Sequence, residues 1–230
     1  MLLAAAAVVT VALAAFGPGD AAPIETAAPA QASRLLPSGP PSPQVVALAG
    51  TLRIQMPIAQ TRVTAIGYHG GTLGALPLDT VGTQANQGLF QRFWHRVVGD
   101  SSSKLRWYQL SGGEGSATSA LDVGAAAGTD VYAPVDGTVV GLAAYVLNGK
   151  GRGARLEIQP TDAPSTVVVI TRIKPDPSLT VGASVVAGST KLGVVLDLSR
   201  VERQALARFT NDAGNHLTAE LHAAATLAVP

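Results

Sequence analysis

The stretch TSALDVGAAAGTDVYAPVDGTVV, Thr118 to Val140, decides the fold class. A short apolar run at Val131–Ala133 is followed by Pro134-Val135-Asp136-Gly137, and a β-branched run begins at Thr138. Gly after Asp supplies the positive φ of a tight turn, so the stretch predicts two strands joined as a hairpin, with a further turn at Gly128-Thr129-Asp130 opening the first strand.

The same grammar recurs on both sides. Val45–Met56, Arg62–Tyr68 and Lys104–Leu110 read as strands before it, and Gly141–Leu147, Arg155–Gln159, Thr166–Ile173 and the glycine-punctuated Leu179–Val195 as strands after it. Short strands at this spacing predict a mainly β chain, an antiparallel barrel-sandwich with one or two short helices. One helix is expected at Gln84–Val98, where Leu89, Phe90, Phe93, Trp94, Val97 and Val98 recur at helical spacing, packed on the β-domain. A second is expected after Ser199-Arg200-Val201-Glu202, which has the form of a capping box. The glycines of Asn148-Gly149-Lys150-Gly151-Arg152-Gly153 lack a following Lys-Ser/Thr, so they read as a hairpin turn and not as a phosphate loop.

Composition narrows the chemistry. The 230 residues carry a net charge of +1, and their basic residues are scattered among acids, which gives no footprint for nucleic acid. Cysteine is absent, so a metal could be held only by His, Asp or Glu. No nucleophile elbow is present. Leu2–Phe16 is an apolar run of about fifteen residues, short of the roughly 20 of a spanning helix, and it predicts a signal peptide or N-terminal anchor over residues 1–22. Residues 23–44, rich in Ala and Pro, read as a linker. Residues 45–110 form a β/α segment of unassigned type, and 111–228 a β domain. An extracytoplasmic location follows from this layout, with the membrane touched only through the N-terminal segment.

Two stretches carry a family resemblance. Asp122-Val123 through Gly137-Thr138-Val139, and later His216-Leu217-Thr218-Ala219-Glu220, resemble the LytM-type M23 metallopeptidases, secreted zinc enzymes that cut peptide cross-links of bacterial cell walls. The run LTVGASVVAGSTKLG between them is similar as well. The resemblance implies zinc ligands at the positions of Thr118, Asp122 and Thr218, a catalytic residue at His216, and a second catalytic position near Arg172. Threonine hydroxyls are poor zinc ligands at neutral pH, so Asp122 stands as a vestigial metal residue and His216 as a vestigial catalytic one. Thr118, Thr218 and Arg172 remain as groove candidates. His69, beside Gly70 and Gly71, reads as a turn residue; a rescued metal site would need it or His95. His216 and His222 lie about 20 Å apart along a strand and cannot share one ion.

The expected function is therefore a non-catalytic M23-like domain that binds peptidoglycan or an envelope protein such as a wall hydrolase, with no cofactor. An active zinc endopeptidase with altered ligands is the first alternative. A biotinyl or lipoyl carrier is the second, because VYAPVDGTV with Gly182 and Gly188 is similar to those domains, although Lys191 lacks the flanking methionines.

Overall fold

The computed structural model describes residues 39–86 and 105–224. Its strands, in chain order, are β1 (Val45–Ala49), β2 (Leu52–Gln55), β3 (Ala65–His69), β4 (Ala75–Leu76), β5 (Asp79–Thr80), β6 (Thr83–Gln84), β7 (Arg106–Gln109) and β8 (Ala120–Gly124). They continue with β9 (Asp130–Tyr132), β10 (Gly137–Leu147), β11 (Lys150–Pro160), β12 (Thr166–Pro175), β13 (Ser184–Val185), β14 (Lys191–Val195) and β15 (His216–Ala223). The chain is mainly β, as its sequence predicts, and its large sheet runs β13-β10-β11-β12-β15-β8-β3-β7-β6 without closing on itself. Pairing is antiparallel except at β3–β7 and β6–β7, which are parallel. A small sheet, β2-β1-β5, stands apart from it. Among the described residues no helix is long and apolar enough to cross a membrane.

The central strands explain the position of the cleft. On β15, Leu217, Ala219 and Leu221 alternate with His216, Thr218, Glu220 and His222. A strand sends alternate side chains to opposite faces, so the first set enters the core and the second forms a polar row. β8 does the same with Leu121 and Val123 against Asp122, and β3 with Ile66 and Tyr68 against His69. The core joins Ile66, Tyr68, Leu121, Val123, Ile158, Val168, Ile170, Leu217 and Leu221 with Val46 and Ile54 from the small sheet. Tyr68 closes this core by donating its hydroxyl proton to the Val46 carbonyl and by meeting Trp107 edge-on at 5.2 Å between ring centroids.

Three expectations are corrected. β9 and β10 do not pair as a hairpin: β9 lies on β14, and β10 on β11 and β13. The Pro134–Gly137 segment is engaged by other parts of the chain, since the Pro134 carbonyl accepts from Gln55 N–H at 2.8 Å and the Asp136 carboxylate from Ala187 N–H at 2.7 Å. Gly137 serves close approach and not a positive φ, because a Cβ there would stand 2.3 Å from the Gln159 carbonyl oxygen.

The capping box at Ser199 also fails to start a long helix. Ser199 gives both its N–H and its hydroxyl to Asp197, and only a 3-10 turn, Ala205–Arg208, follows. Asp197 offers the nearer acceptor and holds the segment in a turn. The predicted Gln84–Val98 helix lies from residue 87 onward outside the described residues, and Thr83–Gln84 is strand.

Of the hairpin turn expected over Asn148–Gly153, Lys150–Gly153 already lie in β11, and the turn is confined to Asn148-Gly149. Both residues have positive φ, 52° and 72°, and Leu147 faces Lys150, which is the two-residue connection of a long β10–β11 hairpin.

A cleft on the polar face of the central strands

A cleft of about 750 Å³ opens over the polar row of β15, walled by the Gly70–Leu73 loop, the Ser111–Glu114 loop, the β10–β11 hairpin and the Glu202–Ala205 turn. Register brings its chemistry together. Thr218 stands opposite Asp122 on β8, and Gly67 opposite the same Asp122 on β3, so His69 at the end of β3 reaches the carboxylate.

Asp122 is the hub. Its Oδ1 accepts the Thr218 hydroxyl at 2.7 Å. Its Oδ2 lies 3.3 Å from His69 Nε2 and 3.4 Å from His216 Nε2. Burial pushes this carboxyl up, but the His216 charge, the His69 bond and charge, and the Thr218 hydroxyl overcome it and hold the pKa at about 2. Burial pushes His69 down, and the Asp122 bond and charge, the Gly70 carbonyl and Glu220 raise it above its ordinary value.

Both imidazoles are oriented from behind. His69 Nδ1 bonds the Gly70 carbonyl, and His216 Nδ1 bonds the Gly214 carbonyl at 2.9 Å. A carbonyl only accepts, so each Nδ1 carries the hydrogen and each Nε2 is turned toward Asp122.

The loop bearing His69 is fixed by its neighbours. Gly71 N–H donates to the buried Ser119 hydroxyl at 2.8 Å, and Glu114 N–H donates to the Gly71 carbonyl at 3.0 Å. Gly113 has φ 78°, and a Cβ on it would stand 1.6 Å from the Gly70 oxygen, so glycine alone fits. Farther along the row, Glu220 accepts the Thr72 N–H at 3.1 Å, the Thr72 hydroxyl, and His222 Nε2 at 2.9 Å. These bonds, led by that of His222, outweigh burial and keep Glu220 below its ordinary carboxyl value.

Arg172 enters the cleft from a β-bulge. Ile170 faces Leu156 and Ile173 faces Ala154, so two residues of β12 oppose one of β11. Arg172 occupies the bulge at φ 64°, a left-handed conformation rare for a branched-out side chain, and it pairs with Glu202 while its Nη1 donates to Gln204 Oε1 at 3.3 Å.

Of the residues singled out in the sequence, Asp122, His216, Thr218 and Arg172 therefore share this cleft. Thr118 does not line it; it lies in a turn, and its carbonyl accepts from Leu78 N–H at 3.1 Å. The ligand set implied by the resemblance does not fit zinc, since Thr118 is elsewhere and Thr218 gives its hydroxyl proton to Asp122. Sequence reading set His69 aside as a turn residue. It is the end residue of β3, and only the pairing of β3 with β8 places it on Asp122. Glu220, His222 and Thr72 were missed likewise, although the alternation His-x-Thr-x-Glu-x-His along β15 already marks one polar face.

No family model matches the sequence, and no curated protein matches it. Solved structures similar to this chain are of LytM/M23 type. The solution structure of lysostaphin is 19% identical, covering 46% of this chain and 36% of that one, at a TM-score of 0.33. Helicobacter pylori Csd3 in its hexagonal crystal is 15% identical, covering 74% and 30%, at 0.36. The chain thus spans about a third of the length of either. A novel M23 metalloprotease, pseudoalterin from the deep sea, is 14% identical, with 76% of this chain and 72% of that one covered, at a TM-score of 0.39.

Proposed function

We propose that this chain is an extracytoplasmic M23-like domain whose cleft holds a peptidoglycan peptide without cleaving it. One observation carries the reading: Arg172 stands in the cleft near the position where the resemblance expects a second catalytic residue, and its guanidinium is engaged by Glu202 and Gln204. A guanidinium does not shuttle protons near neutral pH, so it cannot replace a general base, but its fork of donors suits a peptide carboxylate. Arg203 on the wall extends that character, and Glu114 offers an acceptor for an amine.

The test is co-sedimentation with purified peptidoglycan, together with calorimetry on soluble stem peptides. Retention by the sacculi, with an at least tenfold loss in Arg172→Ala, is the expected outcome. Failure to bind either material overturns the reading, and so does release of new peptide ends from the sacculi.

Hydrolysis of cross-links is the second reading, and a specific observation favours it: His69 joins His216 on Asp122. Peptide release that stops in His69→Gln and Asp122→Asn would establish it in place of the first.

A further inference from the structure

We propose that the outer edge of β10, from Gly141 to Leu147, is a docking strand, to which an extended peptide of about five residues adds inside the cleft, held by its main chain. This rests on the peptide reading given above and adds to it the conformation of the ligand and the backbone groups that recognise it.

Most of the outer side of β10 has no partner. β13 covers it only at Gly137 and Thr138. The next residue, Val139, gives its N–H to the Ala183 carbonyl at 2.9 Å and takes the Gly182 N–H at 2.8 Å. Val140 is the extra residue of a bulge. From Gly141 to Leu147 the strand pairs with β11 on one side, and among the described residues no strand lies on the other. The extra residue of the second bulge, Arg152, belongs to β11, so β10 itself stays regular over this span. In an antiparallel strand alternate residues turn their N–H and C=O outward, and here those groups are left to a ligand.

The edge also lacks the usual protection. Free edges are blunted by charged residues, prolines or short length. Gly141-Leu142-Ala143-Ala144-Tyr145-Val146-Leu147 contains neither charge nor proline. It runs for about 20 Å. Leu142 and Val146 are 38% and 59% exposed on it.

The lining of the cleft identifies the occupant. β15 contributes the alternate residues His216, Thr218 and Glu220, as a strand does when it presents a face. β10 contributes three consecutive residues, Ala144, Tyr145 and Val146, and therefore turns its edge to the cleft. A strand within a sheet occupies about 160 Å³ per residue, from its rise, the strand spacing and the sheet spacing. The cleft of about 750 Å³ thus takes about five residues of a single strand, too little for the two-stranded hairpin that a second copy of this chain would bring. Leu73 on another wall, with Ala144 and Val146, suits small uncharged side chains. Pairing through the main chain makes the site tolerant of their order.

The probe is penta-alanine, acetylated and amidated, which has no terminal carboxylate for Arg172 and so reads the edge alone. It is titrated by NMR into the full wild-type chain, beside the same peptide N-methylated on two adjacent central residues, so that no register escapes the loss of a donor. Binding is expected to protect every second amide of Gly141–Leu147 from exchange and to leave unchanged those turned to β11. The methylated peptide is expected to bind about tenfold more weakly, the loss of one main-chain hydrogen bond. Equal binding of the two peptides, no binding of penta-alanine, or binding without that alternating protection overturns the proposal. So does a dimer in sedimentation whose β10 amides are protected without peptide, which would give the edge to a second copy. Retention by sacculi with no change at β10 overturns the docking strand and leaves the peptidoglycan reading standing; alternating protection by penta-alanine with no retention by sacculi does the reverse.

Discussion

At the scale of single residues, the cleft depends on side chains held by backbone. Asp122 keeps its charge in a buried place because every oxygen has a partner, which is the condition for a buried carboxylate. Asp122→Ala leaves two imidazoles and the Thr218 hydroxyl without it, and is expected to lower stability by about 3 kcal/mol, read in urea unfolding. Glu220 gives a prediction in pH. Its folded value is depressed, so its contribution is present above the ordinary carboxyl range near 4.5 and is lost as pH falls through the lower folded value. The thermal midpoint of wild type is expected to fall more steeply as pH drops below about 4.5 than that of Glu220→Gln. Equal slopes would mean that the bonds from Thr72 and His222 do not discriminate between its charged and neutral forms.

At the scale of elements, two features set positions that no single contact could set. The bulge of β12 turns Arg172 into the cleft; with regular pairing, Thr171 would stand opposite Arg155 and Arg172 opposite the buried Ala154. The Gly70–Thr72 loop is locked to the Ser111–Ser119 segment through Gly113, Ser119 and Glu114. Gly113→Ala combines a positive φ with a backbone collision, so it must displace the loop that follows His69. The expected result is loss of peptide binding, with the far end of the sheet intact by amide exchange. At the hairpin tip, Gly149→Ala meets no steric neighbour but keeps φ 72°, and a cost of about 1 kcal/mol is expected in thermal or urea unfolding.

At the scale of the whole molecule, the polar row on one face of the sheet has a small apolar partner cluster at its edge. Leu206, fully buried in the 3-10 turn, packs with Ala65 and Leu110, and Cβ atoms added at Gly67 or Gly124 would meet its side chain at about 3 Å. Those glycines let the turn settle onto β3 and β8. Leu206→Ala is expected to cost about 2–5 kcal/mol in urea unfolding. Loosening that turn should also weaken peptide binding, because Gln204 and Glu202 of the same segment hold Arg172.

The alternation of β-branched and polar residues was enough to determine a mainly β chain, most of its strands and the Asn148-Gly149 turn, because strand period and turn chemistry are local properties. The family resemblance, not the alternation, grouped Asp122, His216 and Thr218 with Thr118; the first three lie on two strands paired residue by residue, and Thr118 lies outside the cleft. Local signals could not say which strands pair: the Asp136-Gly137 turn has good hairpin residues, yet β9 joins β14, since the energy lies in contacts distant along the chain. The Ser199 box was overridden by the nearer acceptor on Asp197. Only the tertiary structure decided the role of His69, because its partner Asp122 is separated from it in sequence by the whole of β4 to β7 and meets it through antiparallel register alone.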